Sequence, residues 1–431
     1  MTAPSSNVSR DTSILKPLQP EKVQIYGTHD VDDAVSRTFW KNRVKNFQFL
    51  WFAVIMANGI IPTTLSHFIV GSTTLPLRIV ALTLWFNNFA WFIFFVCLTI
   101  TRYIIHPSSW RAAFNHPVLT LYIATFPMGL GTIISGAVPI IHTGFNFGGR
   151  SFIYVLWAFW WLDVVISVVI TFVALYFMIT HFEYEVEKLS SAWIFPFVTM
   201  TVASSVGNVV SAPLATYSRS HAWLTIIISL ILVIVGFALA WNLISAFFQR
   251  MIFHGMPPVS QAMQAFFPMG AIAQTGYSLS VLAPNFESQL PFDHGDSTFL
   301  RSPATGPTLF AITLAAAFVL WILGAAWIIF ALMSIYYAAK TDSIKFGPSW
   351  WGLIFPNGVY ANFTVQLGNL LDSNVFRILG AIWTCLTIAV WAYIAARTLY
   401  SHVREEIGFI RLRLHARKTG HDANRAVKET A

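Results

Sequence analysis

The sequence predicts an all-α membrane protein of ten transmembrane helices, arranged as five hairpins. Three observations predict it. Apolar stretches recur from Phe47 to Leu399, each long enough to cross a hydrocarbon core of about 30 Å. Only 10% of the 431 residues are charged, against 56% hydrophobic, where a soluble domain carries roughly 25% charged residues. Proline, finally, recurs in alternate apolar segments and is missing from the interiors of those between.

Ten segments follow in order: 46–70, 79–101, 118–141, 152–180, 191–216, 221–249, 258–283, 307–337, 349–371 and 375–399. They lack the polar face that a soluble helix presents to water. The 17 Trp and 38 Phe suit lipid contact and interfacial anchoring. The fifth and seventh are the most polar, being rich in Ser, Thr, Gln, Gly and Pro. Residues 284–306 form the longest outer loop, with Glu287, Asp293, Asp296 and one Arg. Gly148-Gly149 beside Arg150 reads as a turn.

The flanks set the topology. Residues 1–45 read as a disordered cytoplasmic tail, 46–400 as the membrane domain, and 401–431 as a basic cytoplasmic tail. The net charge is +8, and the basic residues cluster in the two tails. Positive-inside bias therefore explains it better than nucleic-acid binding, and an even helix count puts both tails on one side. Arg404, Arg411, Arg413, Arg417 and Lys418 would also suit anionic inner-leaflet lipid. Asn7-Val8-Ser9 has the form of a glycosylation sequon but falls in the cytoplasmic tail. Residues 1–40 contain no signal-peptide core. Cys97 and Cys385 lie within apolar segments and carry no disulfide or metal pattern.

Each odd segment has an interior proline: Pro62, Pro127, Pro213, Pro268 and Pro356. A mid-helix proline removes a hydrogen bond and kinks the helix. In lipid the freed carbonyls must find partners in neighbouring helices, hydroxyls or water. Kinked, polar helices therefore belong along an aqueous path, and smooth ones such as 307–337 belong in lipid. The expectation is that odd helices form an inner pore ring and even helices an outer ring.

The ordered motifs resemble a known family. They are Thr125-Phe126-Pro127-Met128-Gly129-Leu130-Gly131-Thr132, Tyr154-Val155-Leu156-Trp157 with Trp160-Trp161-Leu162-Asp163, Val202-Ala203-Ser204-Ser205-Val206-Gly207, Pro268-Met269-Gly270, and Trp350-Trp351-Gly352-Leu353-Ile354-Phe355-Pro356-Asn357-Gly358. Over about residues 45–400 the chain resembles the tellurite-resistance/dicarboxylate transporter family, which has the slow anion channel fold. It is most similar to the fungal sulfite efflux pumps of that family. The resemblance implies a ten-helix pore, a small anion substrate (sulfite or malate), a homotrimer in the plasma membrane, and a gating role for Phe355. The chain departs from the family at Met56-Ala57-Asn58-Gly59, at Ala271–Tyr277 and at Asn357.

Candidate lining residues are Asn58, Thr63, Thr132, Ser135, Ser204, Ser205, Asn208, Gln274, Thr275, Ser278, Asn357 and Asn362. These neutral dipoles can hold an anion without trapping it, as a central fixed cation would. No Lys or Arg lies deep in the inner ring. An aromatic ring at Phe355 would block a narrow path. Asp163 is an acid within an apolar segment, a functional candidate by position, though its neighbours Trp160 and Trp161 favour a structural bond. His67 and His142 read as interfacial, and His106 and His116 as solvated.

The sequence has no phosphate-binding loop with Lys, no paired-His metal site and no nucleophile elbow. The expectation is a transporter without cofactor, not an enzyme. Sulfite efflux leads; a C4-dicarboxylate (malate) permease or anion channel is the alternative; an intramembrane enzyme or receptor is remote.

Overall fold

The structure, a computed structural model, describes residues 43–109, 116–181, 185–293 and 296–429. Most of the expected N-terminal tail, including Asn7-Val8-Ser9, lies outside them. Among the described residues every regular element is helical. The ten longest helices are α1 (Phe52–Ser66), α2 (Leu75–Ile105), α3 (Thr125–Ala137), α4 (Gly149–Thr180), α5 (Phe195–Ala215), α6 (Arg219–His254), α7 (Phe267–Gln289), α8 (Thr305–Thr341), α9 (Ile354–Leu370) and α10 (Asn374–Glu429).

Eight of these, extended by adjoining turns where present, are long and apolar enough to cross a membrane; α7 and α9 are the two that are not. Their polarity has a physical reason. Most residues of both are buried against other helices, so they need not be apolar to avoid contact between lipid and polar groups. Burial follows the alternation in the sequence. In the apolar windows of α1, α3 and α5, 61%, 83% and 89% of residues are buried, against 22% to 39% in α2, α4, α6, α8 and α10. α1 packs on α3, α3 on α5, α5 on α7, α7 on α9, and α9 on α1.

These helices form a compact unit from Val44 to Leu399. A second unit includes Arg43 and the end of α10 from Tyr400, where Arg43 pairs with Glu406 at 3.0 Å.

The prolines act differently from the sequence expectation. Pro62 and Pro213 lie inside α1 and α5. Pro127, Pro268 and Pro356 stand instead in the first turns of α3, α7 and α9. A helix start already leaves its first N–H groups without intrahelical partners, so proline costs nothing there. Each of these helices follows a separate short turn: Leu119–Tyr122 before α3, Val259–Phe266 before α7 and Pro348–Leu353 before α9. The chain enters these crossings as broken segments, not as continuous kinked rods. Pro196, in the first turn of α5 after the turn Ser191–Ile194, repeats the device.

Close approach of the odd helices needs glycine. A Cβ on Gly358 of α9 would sit 2.6 Å from Ile60 Cγ1 of α1, and one on Gly59 would sit 2.3 Å from Thr132 Oγ1 of α3.

Several boundaries differ from expectation: α10 continues as helix from 399 to Glu429, through the segment expected as the C-terminal tail. α7 runs on to Gln289, so Pro284 and Glu287 are helical and the following connection is shorter than 284–306. There Arg301 Nε donates to Asp293 Oδ1 at 2.7 Å. Arg78, expected in a loop, occupies the first turn of α2.

Candidate functional site

A cavity of about 370 Å³ opens at the end of the unit where α1 ends and α2 begins. Its wall includes Thr63, Thr132, Ser135, Ser205, Gln274 and Asn362, and its floor includes Phe355 and Val359. A second space of about 30 Å³ lies against Phe355 as well, lined among others by Met56, Met128, Phe195 and Phe267. Phe355 thus borders both a sizeable chamber with polar groups in its wall and a small, almost wholly apolar one. The rings of Phe195 and Phe267 are 4.5 Å apart.

Phe195, Phe267 and Phe355 each precede the first-turn proline of their helix, as does Phe126 in α3. Four Phe-Pro pairs therefore open four of the odd helices. Three of these rings meet at the small chamber, while Phe126 packs on Phe52 with ring centroids 5.3 Å apart. The repeated dipeptide is visible in the sequence, and it was the signal for a collar wider than Phe355 alone.

The hydroxyl groups of the wall are mostly committed. Thr63 Oγ1 donates to the Gly59 carbonyl at 3.2 Å, Thr132 Oγ1 to Gly129 at 2.8 Å, and Ser205 Oγ to Val202 at 2.8 Å. Ser135 Oγ lies 3.4 Å from the Thr132 carbonyl. Such back-bonding satisfies the helix but holds the proton away from a ligand. The amides are more available. Both polar atoms of the Asn362 side chain are buried without a partner, an arrangement that calls for water or a ligand.

The remaining expected lining residues are engaged elsewhere. Asn58 Oδ1 accepts from Trp391 Nε1 of α10 at 2.8 Å. Ser204, Asn208 and Ser278 bond one another between α5 and α7: Ser204 Oγ and Ser278 Oγ lie 2.8 Å apart, and Asn208 Nδ2 donates to Ser278 Oγ at 3.1 Å. Asn285 Nδ2 extends this seam to Ser211 Oγ at 2.9 Å. Thr275 Oγ1 donates to the Ala271 carbonyl at 2.9 Å and faces an apolar groove between α6 and α8. Asn357 Nδ2 donates to the Leu353 carbonyl at 2.7 Å. Burial among neighbouring helices, and not polarity, decides which dipoles reach the chamber.

Asp163 is fully buried on α4, and neither carboxyl oxygen has a hydrogen-bond partner. A Cβ on Gly131 would lie 3.6 Å from its Oδ2, which puts the acid behind the wall formed by α3 and α5. The structural bond expected beside Trp160 goes elsewhere: Trp160 Nε1 donates to the Ala203 carbonyl at 2.8 Å. Sequence reading missed Arg78, His67 and Tyr277, which also line the chamber. Among the described residues no cluster of His, Cys, Asp and Glu could hold a metal.

The chain is 28% identical to the sulfite efflux pump SSU1 of Arthroderma otae over 372 residues, 84% of this chain and 93% of the relative. It is 28% identical to that of Trichophyton rubrum, over 88% of this chain and 98% of the relative. It is also 23% identical to the malic acid transport protein of Schizosaccharomyces pombe, over 81% of this chain and 77% of the relative. The model of the SLAC1 family, voltage-dependent anion channels, matches residues 46–399. The chain is a multi-pass membrane protein and belongs to the SLAC1 family of anion transporters and channels, which are not enzymes.

Proposed function

We propose that this protein exports sulfite or hydrogensulfite across the plasma membrane, through a path ringed by α1, α3, α5, α7 and α9. The observation that carries the reading is a chamber of about 370 Å³ lined both by Phe355 and by polar side chains of the odd helices. Inward of Arg78, its available donors are neutral amides, with Asn362 unpartnered. Neutral dipoles stabilise an anion while leaving it free to depart, and conduction requires both. The successive contacts of the odd helices and the heavier burial of α1, α3 and α5 support an inner ring with even helices in lipid. Phe355, backed by Phe195 and Phe267, closes the path at rest. Transport then runs down the electrochemical gradient of the anion, with both termini in the cytosol and three copies per assembly.

The similarity to sulfite efflux pumps over most of both chains supports sulfite as the cargo. Malate is the second reading, supported by the similarity to a malic acid transport protein. A dicarboxylate would favour two fixed cations in the chamber wall, where the lining has one.

The test is expression in cells lacking their own sulfite exporter. Sulfite tolerance and sulfite release should both rise. Unchanged sulfite release with increased malate flux would overturn the sulfite assignment in favour of the permease.

A further inference from the structure

The one fixed charge in the chamber lining is Arg78, and stability does not account for its position. It lies in the first turn of α2, where a cation opposes the helix dipole and an acid would be favoured. No carboxylate lies within ion-pair reach of it among the described residues. Its Nη1 donates to the Gly144 carbonyl at 3.0 Å, just past the π-helical turn Val138–Thr143. That bond uses one of five guanidinium N–H groups and holds the side chain across the chamber mouth. Ser72, Thr73 and Thr143 share this part of the lining, and the unpartnered amide of Asn362 belongs to the same chamber.

We infer that Arg78 forms an anion-binding site at the chamber mouth, separate from the neutral interior and specific for small oxyanions. The chemistry follows from the guanidinium: planar, always charged and able to bind two oxygens of one ligand at once. Half-buried at the mouth, it keeps enough solvent contact for the anion to leave. Under the proposed topology this is the outer mouth, so an exported anion passes from neutral amides to Arg78 and then to water. The site rests on the anion-transport reading for its role, but not for its existence.

Equilibrium binding to the purified full-length protein tests it, with sodium hydrogensulfite as probe and Arg78→Gln and Arg78→Lys as variants. Gln removes the charge and is too short to reach Gly144, whereas Lys keeps the charge on a side chain of similar reach, so comparing the two isolates the charge. Saturable binding should weaken about tenfold in R78Q, the scale of one charge-assisted hydrogen bond, and should be largely retained in R78K. Binding by R78Q equal to that of the parent protein, or no saturable binding by the parent, would overturn the inference. Liposome flux separates the two claims: Arg78-dependent binding without any anion flux leaves the site standing and removes the transport reading.

Discussion

Gln274 Nε2 donates to Ser205 Oγ at 2.6 Å, joining α7 to α5 in the chamber wall. Because the Ser205 hydroxyl proton is already directed to the Val202 carbonyl, the glutamine must be the donor. One N–H of the Gln274 amide is thereby used, and Asn362, with its amide unpartnered, lines the same chamber.

From this follows a prediction for Asn362. Asn362→Leu keeps the approximate volume and removes both polar atoms. A hydrogen bond from a neutral donor to a charged acceptor contributes about 1.5–3 kcal/mol. Sulfite release per molecule at the cell surface should fall by about tenfold or more. An unchanged rate would remove Asn362 from the path.

The collar makes a graded prediction. Phe355→Ala should raise basal anion conductance, because the ring borders both chambers. Phe267→Ala alone should do less. The double variant should exceed either single change severalfold, since the paired rings of Phe195 and Phe267 still obstruct the path after Phe355 is trimmed. Patch-clamp recording of the full chain would decide it, and equal currents in the single and double variants would assign closure to Phe355 alone.

Helix approach gives a stability prediction. Gly358→Ala brings a methyl group to 2.6 Å from Ile60 Cγ1 and should cost about 1–3 kcal/mol, the usual penalty for overpacking. Ile60→Ala removes the clashing atoms, so the double variant should recover part of that loss as a favourable coupling. Thermal unfolding of the detergent-purified protein measures both.

Asp163 yields the opposite sign. Its carboxyl is buried without a partner, and an unpaired charge in such a place is costly. Asp163→Asn keeps the shape without the charge and should leave the melting temperature unchanged or higher. A large drop would reveal a required partner for the carboxylate.

Much of this was legible in the sequence, for reasons that also explain what was not. Apolar length marks a helix because lipid tolerates no unpaired backbone, so each of the ten long helices overlaps one expected segment, though several run beyond its bounds. Proline composition showed that odd helices differ, yet position within the helix decides what a proline does. Pro127, Pro268 and Pro356 begin helices, a point that needs the preceding turns to be known. Side-chain direction was harder still. Asn58 and Ser205 both lie on odd helices, yet one meets Trp391 and the other the chamber. Arg78 was hidden by Leu75-Pro76-Leu77, which reads as the end of a loop but is the first turn of α2.

The amide and hydroxyl seam between α5 and α7 has a mechanical consequence. Five polar side chains from that seam, Ser204, Asn208, Ser211, Ser278 and Asn285, fasten the two helices. Among the described residues, no comparable side-chain bonds join α9 to α1 or to α7. Those contacts are van der Waals, as at Gly358 with Ile60 and Gly270 with Pro356. Fastening is therefore unequal around the bundle: α5 and α7 are bolted to each other, whereas α9, which carries Phe355, is bolted outward to α8, where Trp321 Nε1 donates to Thr364 Oγ1 at 3.0 Å, and only rests against its inner neighbours.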